Sequence, residues 1–452
     1  MASKKNKDKA KTVGSRSKPA AQQQNPKTAP AKKGRKNVVH PGGRRKKPMP
    51  LLWFAGIITL LVLGRILTID LPHYLHVRNE ATEGLVSATS MKDPGVPALS
   101  FDQIQAQKRI IDVHEHLGSA DLAHLYLEIM DELGIGKMCL MGSSTFTLTM
   151  QESYGFTGYD ENNEELIQTI EQYPGRFEAW PTVNPEDPDK LEKLKSLVAR
   201  GATGVKLYIG HGYVTNRNTK VHKRNEYMFH TTAIDAPTMF PIYKYCEANY
   251  IPLCMHVNPY MGKRGFAEEF IAVLTACPDM KVVCPHLMLS SIQSNRLEEF
   301  LRCFPNLYTD ISYGDSFMET RIRYMAKQPY KFRRIFKRYP DRIMIGADLV
   351  LTKHAGKTRE WIRTQLSAYL DLLTTASFST DAIKDKTTRQ PERLKGLDLP
   401  DSLLERILFK NYEDFVAKRP RGTVVRRPSL QRMNVPPTGR QAGQAFSPSV
   451  KN

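Results

Sequence analysis

Between residues 106 and 417 short apolar runs alternate with longer amphipathic stretches. Eight runs have the length of buried strands: 109–114 (RIIDVH), 137–142 (KMCLMG), 177–183 (FEAWPTV), 203–209 (TGVKLYI), 252–257 (PLCMHV), 281–286 (KVVCPH), 307–312 (LYTDIS) and 343–348 (IMIGAD). The stretches between them carry helical spacing, notably 161–173, 187–201, 265–277, 291–304 and 317–336. Asp187 and Gly201 are placed to cap the second of these. A last amphipathic piece, 399–416, closes the region. Strand–helix alternation predicts a parallel sheet, and eight repeats predict a closed (β/α)8 TIM barrel over 106–417. An open doubly wound sheet is the alternative, but the first strand is not followed by a Gly-rich phosphate turn.

The flanks follow other patterns. Residues 1–48 are Lys, Ala, Gln, Pro, Gly and Ser with almost no large apolar residue, so a disordered polybasic tail is expected. Residues 49–71 contain the run LLWFAGIITLLVLGRILTIDL, in which Arg65 is the one intrusion before Asp70. As a helix, its first nineteen residues would span roughly 28 Å, close to the thickness of a bilayer core. An uncleaved single-pass anchor is the favoured expectation, and an exported, cleaved form is the alternative. The positive flank is N-terminal, which would leave the tail cytoplasmic and the barrel on the extracytoplasmic side. Residues 72–105 read as a linker, and 418–452 as a second disordered basic tail.

Charge changes the picture only at the ends. Of the formal +20, residues 1–50 carry +15 and residues 418–452 carry +8, which leaves −3 for residues 51–417. The barrel is therefore not basic, and no specific nucleic-acid partner is expected of it. The six cysteines form no CxxC pair and sit in apolar stretches, as small buried hydrophobes do. Such cysteines suit a reducing compartment, which stands against the outward orientation of the anchor.

Chemistry collects at the strand ends. Residues two apart on a strand share a face, so His114 and His116 point together, with Asp112 one layer deeper and Glu115 turned outward. Strand five ends in His256, strand six in His286 and strand eight in Asp348. The C-terminal rim is where such barrels keep their active sites. Four imidazoles and a carboxylate there suit zinc or a similar divalent ion, with a coordination position left open. The loop after strand four, about 210–235, brings His211 and Arg217 to that rim, and the next loop brings Arg264. These are candidate contacts for an anionic small-molecule substrate; a solvated charged loop is the plain alternative.

The order of HxH on strand one, His on strands five and six and Asp on strand eight resembles the amidohydrolase superfamily. The stretches 173–194, 200–212 and 400–416 resemble its amidohydrolase-related branch, which holds metal-dependent hydrolases alongside aminocarboxymuconate-semialdehyde decarboxylase and related enzymes. The resemblance implies a divalent metal, one Zn2+, held by His114, His116, His256 and Asp348, with His286 beside it polarising substrate or moving protons. The ion would acidify a bound water, Asp348 could take its proton, and His286 could serve the oxyanion or the leaving group. Lys206 leaves a choice open. Carboxylated, it would bridge two metals; otherwise it is a substrate contact or a buried ion pair. The stretch after Asp348, LVLTKH, lacks the Pro-containing turn of many members.

Three functions stand at this point. The first is a membrane-anchored hydrolase attacking an amide, ester or lactone-like carbon. The second is a nonoxidative decarboxylase or hydratase using the same ligands. The third is a non-catalytic tethered scaffold that binds anionic polymers through its basic tails. Oligomeric state is not legible.

Overall fold

The computed structural model describes residues 97–144, 156–209, 232–259, 266–288 and 294–417. The tails, the expected anchor at 49–71, most of the linker and the candidate contacts His211, Arg217 and Arg264 lie outside the described residues. Among those described, no helix is long and apolar enough to cross a membrane.

Strand β1 (Ile110–Leu117) is buried along its whole length, as a parallel strand covered on both sides must be. It is preceded by helix α1 (Phe101–Ala106) and followed by α2 (Ala123–Leu133). The alternation continues with β2 (Ile135–Met141), α3 (Tyr159–Gln172), β3 (Phe177–Trp180), α4 (Lys190–Ala199), β4 (Val205–Leu207) and α5 (Phe240–Ala248). Next come β5 (Leu253–Met255), α6 (Ala267–Ala276), β6 (Val282–Val283), α7 (Ser294–Cys303) and β7 (Leu307–Asp310). Two helices, α8 (Gly314–Lys327) and α9 (Pro329–Arg338), lead to β8 (Ile343–Met344) and the short β9 (Val350–Leu351). Helix α10 (Arg359–Thr374), a hairpin of β10 (Ser377–Lys384) and β11 (Pro391–Lys395), and helices α11 (Asp401–Glu405) and α12 (Asn411–Val416) complete the order.

The strands pair in parallel in two runs, β3-β2-β1-β9 and β4-β5-β6-β7-β8. Both seams between the runs are bonded. At one, Lys206 N–H donates to Pro181 O (2.9 Å) and Thr182 bridges Lys206 in parallel. At the other, Val113 N–H donates to Ile345 O (3.1 Å) and Asp348 N–H to His114 O (2.7 Å). The sheet is thus closed on itself, the eight-stranded barrel expected from the alternation.

Several elements differ from the sequence expectation, each for a local reason. Helix α1 falls inside the expected linker: Ser100 and Gln103 form a reciprocal capping box, and Ile104 is buried. The stretch 317–336 is two helices, because Pro329 forces Gln328 out of helical geometry (φ −134°, ψ 48°). Helix α4 begins after Asp189, whose side chain makes no capping bond; Asp187 stands just before it, its carboxylate accepting from Asp189 N–H (2.9 Å). The β10–β11 hairpin was not anticipated, since its strands carry few apolar residues. Between α11 and α12 the chain widens into a π-turn (Arg406–Lys410). That turn exposes Ile407 O to Ile345 N–H (3.0 Å), while Asn411 donates to Ile343 O (2.8 Å). The C-terminal helices therefore pin β8, which carries the chain to Asp348.

Candidate metal centre

The structure brings His114, His116, Lys206, His286 and Asp348 together at the C-terminal mouth of the barrel. His114, His116 and Lys206 come from strands, as expected. His286 and Asp348 do not: β6 and β8 end earlier, and both residues sit in the turns beyond. His286, Leu287 and Met288 all take left-handed backbone (φ 61°, 50° and 55°), as does Asp348 (φ 60°). Each costs a non-glycine residue about 1–2 kcal/mol. Strain of this kind persists where surrounding bonds enforce it, and such places cluster at functional sites. Here His286 N–H is held by Asp310 Oδ1 (2.9 Å) and Asp348 N–H by His114 O. Two glycines make the room. A Cβ on Gly314 would stand 3.0 Å from Asp348 Oδ2, and one on Gly346 would stand 3.0 Å from His114 Cβ.

Each of three imidazoles has its Nδ1 tied to an acceptor. His114 Nδ1 meets Asp310 Oδ2 (2.9 Å), His116 Nδ1 meets Met141 O (2.9 Å), and His286 Nδ1 meets Ser312 O (2.8 Å). Carbonyls and an ionised carboxylate only accept, so each ring carries a proton on Nδ1. The three Nε2 atoms are left facing one carboxylate. Asp348 Oδ1 lies 2.9 Å from His116 Nε2 and 3.2 Å from His114 Nε2, and Oδ2 lies 3.9 Å from His286 Nε2. His256 is half-buried; its ring stands 4.8 Å from that of His286 and 5.8 Å from that of Tyr208. Lys206 is fully buried, with Nζ 2.9 Å from His114 Nε2 and 3.5 Å from Cys254 Sγ.

The electrostatics suit ligation. Burial, reinforced by the Lys206 ammonium, lowers the His114 pKa, and burial lowers that of His286, so both rings stay neutral. For Asp348 burial acts to raise the pKa, but the surrounding imidazoles outweigh it and hold the group well below the carboxylate range. Asp310 behaves alike and falls to about 2. Neutral nitrogen donors, one ionised carboxylate and donor atoms of His114, His116 and Asp348 within 4.8 Å of one another fit a divalent ion.

Sequence reasoning missed four contributors. Asp310 orients His114 and His286, and Ser312 Oγ donates to it. Ser143 Oγ lies 2.8 Å from His116 Nδ1 and 2.9 Å from the Tyr208 hydroxyl. The same strand-end rule that selects His286 would have found Asp310 in LYTDIS. Tyr208, two residues past Lys206, shares its face. The β1–β2 register slips between Asp112 and Glu115, and the buried Asp112 carboxylate accepts from His114 N–H (3.0 Å) and bonds the Glu115 carboxyl. Glu115 faces outward, as expected, but has a task there. Its Oε2 accepts from Tyr126 O–H (2.9 Å) and from Leu349 N–H (3.0 Å), fixing the residue after Asp348. All six cysteines are buried and none is in a disulfide.

A family model described as amidohydrolase matches residues 152–411, more than half of the chain. The match includes Lys206, His256, His286 and Asp348 and begins after His114 and His116, which the fold supplies. No curated protein matches the chain. Similar solved structures include a probable 2-pyrone-4,6-dicarboxylic acid hydrolase from Acinetobacter baumannii (16% identity, 68% of this chain and 99% of that one, TM-score 0.44). Two others are 5-carboxyvanillate decarboxylase from Sphingomonas paucimobilis (12%, 68% and 98%, 0.39) and 2,6-dihydroxybenzoate decarboxylase from Rhizobium (13%, 68% and 98%, 0.40).

Proposed function

From the premise that the chain belongs to the amidohydrolase family of metal-dependent enzymes, we propose that it hydrolyses an amide, ester or lactone-like bond of a small anionic substrate. The ligands would be His114, His116, His256 and Asp348, holding one zinc-like ion. The observation that carries this reading is the convergence of three Nε2 atoms on Asp348, each turned there by an acceptor on its own Nδ1. When bound, such an ion polarises a carbonyl and acidifies a water.

The chain's own residues do the rest. Asp348 is partly exposed, with 18% of its side chain accessible, and can take a proton from an attacking water. His286 Nε2, 3.9 Å from Asp348 Oδ2 and without a proton of its own, can receive that proton and pass it to the leaving group. Lys206 favours one ion over two, because its ammonium already donates to His114 Nε2. Asp310 holds the tautomer of His114, and Glu115 holds the loop of Asp348.

The test is product analysis on a panel of aromatic and aliphatic carboxylic acids and their esters, lactones and amides. Release of a new acid supports hydrolysis. Release of CO2 would make the chain a decarboxylase on the same residues, and no turnover by a metal-loaded chain would leave the scaffold reading. The run at 49–71 adds that the barrel is tethered to a bilayer and faces outward. Digestion of the barrel by protease added outside intact cells supports that orientation.

A further inference from the structure

We propose that the outward face of helix α9, headed by Tyr330, docks on an anionic lipid surface. The tether proposed above would keep that face within reach of a bilayer, but the docking does not require it. The stretch 320–340 holds eight Lys/Arg and no acid, whereas 51–417 as a whole carries −3. Positive charge on the barrel is therefore gathered in one place. Helix α9 (Pro329–Arg338) carries five of the eight cations.

The helical period decides where they point. Pro329, Phe332, Ile335 and Phe336 are buried. Tyr330, Arg334 and Lys337, spaced i, i+4 and i+7, are exposed, and Lys331, Arg333 and Arg338 flank them half-buried. Tyr330 is 80% exposed, more than any other large apolar or aromatic side chain among the described residues. Part of the charge is already answered. Glu298 of α7 pairs with Arg338 (2.9 Å) and reaches Arg334 (3.7 Å), and Asp398 lies 3.7 Å from Arg333. Lys331 and Lys337 have no carboxylate within ion-pair reach among the described residues. What is left over is a stripe of cations with a phenol at its head. Two features select lipid as its partner. The stripe belongs to the outer helix ring of the barrel, so a plane can meet it along its length. Tyrosine, with an apolar ring and a polar tip, settles at the level of lipid headgroups. Charge complementarity sets the sign: each Lys or Arg near an anionic bilayer strengthens docking about fivefold.

The test places a nitroxide at Tyr330→Cys in the full-length chain, since the six native cysteines are buried. The chain is mixed with vesicles of phosphatidylglycerol and phosphatidylcholine, or of phosphatidylcholine alone. Collisions of the label with oxygen and with a water-soluble nickel chelate report whether it stands in lipid or in water. The reading has to be local, because the basic tails would carry every version of the chain to anionic vesicles. The label is expected to enter lipid on the anionic vesicles and to stay in water on the neutral ones. A second label at the exposed Glu192→Cys on α4, four strands away round the ring, should stay in water on both. Lys331→Gln combined with Lys337→Gln should weaken docking about twenty-five-fold and return the first label to water. A label at 330 that stays in water on anionic vesicles overturns the proposal; if neutral vesicles still hold that chain, the tether survives it. Immersion that is equal on neutral vesicles, equal at 192, or unmoved by the double substitution overturns it as well. So does a label that stays in water on vesicles and is shielded by single-stranded RNA, which would make the face a nucleic-acid site.

Discussion

Asp310→Asn removes one charge and no volume, yet the account makes it a strong perturbation of metal binding. Three donors converge on Oδ1: His286 N–H (2.9 Å), Ser312 N–H (3.1 Å) and Ser312 O–H (2.5 Å). They would keep the amide oxygen of an asparagine on that side. The amide NH2 would then face His114 Nδ1, where Oδ2 now accepts at 2.9 Å. Two donors cannot share that contact. The proton can leave Nδ1 only for Nε2, which faces Asp348 and lies 2.9 Å from Lys206 Nζ, so the ring either loses the lone pair it would offer an ion or swings out of place. Loss of a partner that orients a ligand imidazole costs about ten- to a hundredfold in metal affinity, or about 1.4–2.7 kcal/mol. Competition titration of Zn2+ against a chromophoric chelator measures it, with circular dichroism to confirm that the variant is folded. A folded Asp310→Asn chain with the zinc affinity of wild type would refute the tautomer argument.

Two further outcomes follow from the same centre. Lys206→Met should retain one ion per chain with affinity equal to or tighter than wild type, because it removes a competing cation from His114 Nε2 and no ligand; loss of the ion on metal analysis would instead show a carboxylated lysine acting as a bridge. Asp112→Asn should gain stability relative to wild type as pH rises. Burial lifts the Asp112 carboxyl from 3.8 to about 7, so in wild type its favourable contribution is complete below pH 3.8 and is lost as pH climbs through 7. Urea midpoints at pH 4 and pH 8 should diverge by the equivalent of about 4 kcal/mol, and an unchanged difference would show that Asp112 is ionised throughout.

The barrel was legible because period and spacing are local. All eight strands appear where the apolar runs stand, and alternation put His114 and His116 on one face, whereas Lys206 was marked only by the family resemblance. His286 and Asp348 were found by the right rule at slightly wrong places. The chain leaves β6 and β8 early and enters left-handed turns that no glycine announces at those positions. Asp310 stands at the end of β7, where the strand-end rule reaches it, but its task is set by His114, 196 residues away, which no local pattern marks. Ser143 and Tyr208 lie in loops or strand extensions where a hydroxyl carries no signal until the fold closes.

The central claim is that these imidazoles and Asp348 hold one divalent ion. Metal analysis of the purified full-length chain by mass spectrometry tests it most directly. The account predicts about one equivalent of zinc or a similar ion per chain, abolished by His116→Ala with the fold intact. A folded wild-type chain that holds no divalent ion after incubation with zinc, or a His116→Ala chain that holds as much as wild type, would contradict it.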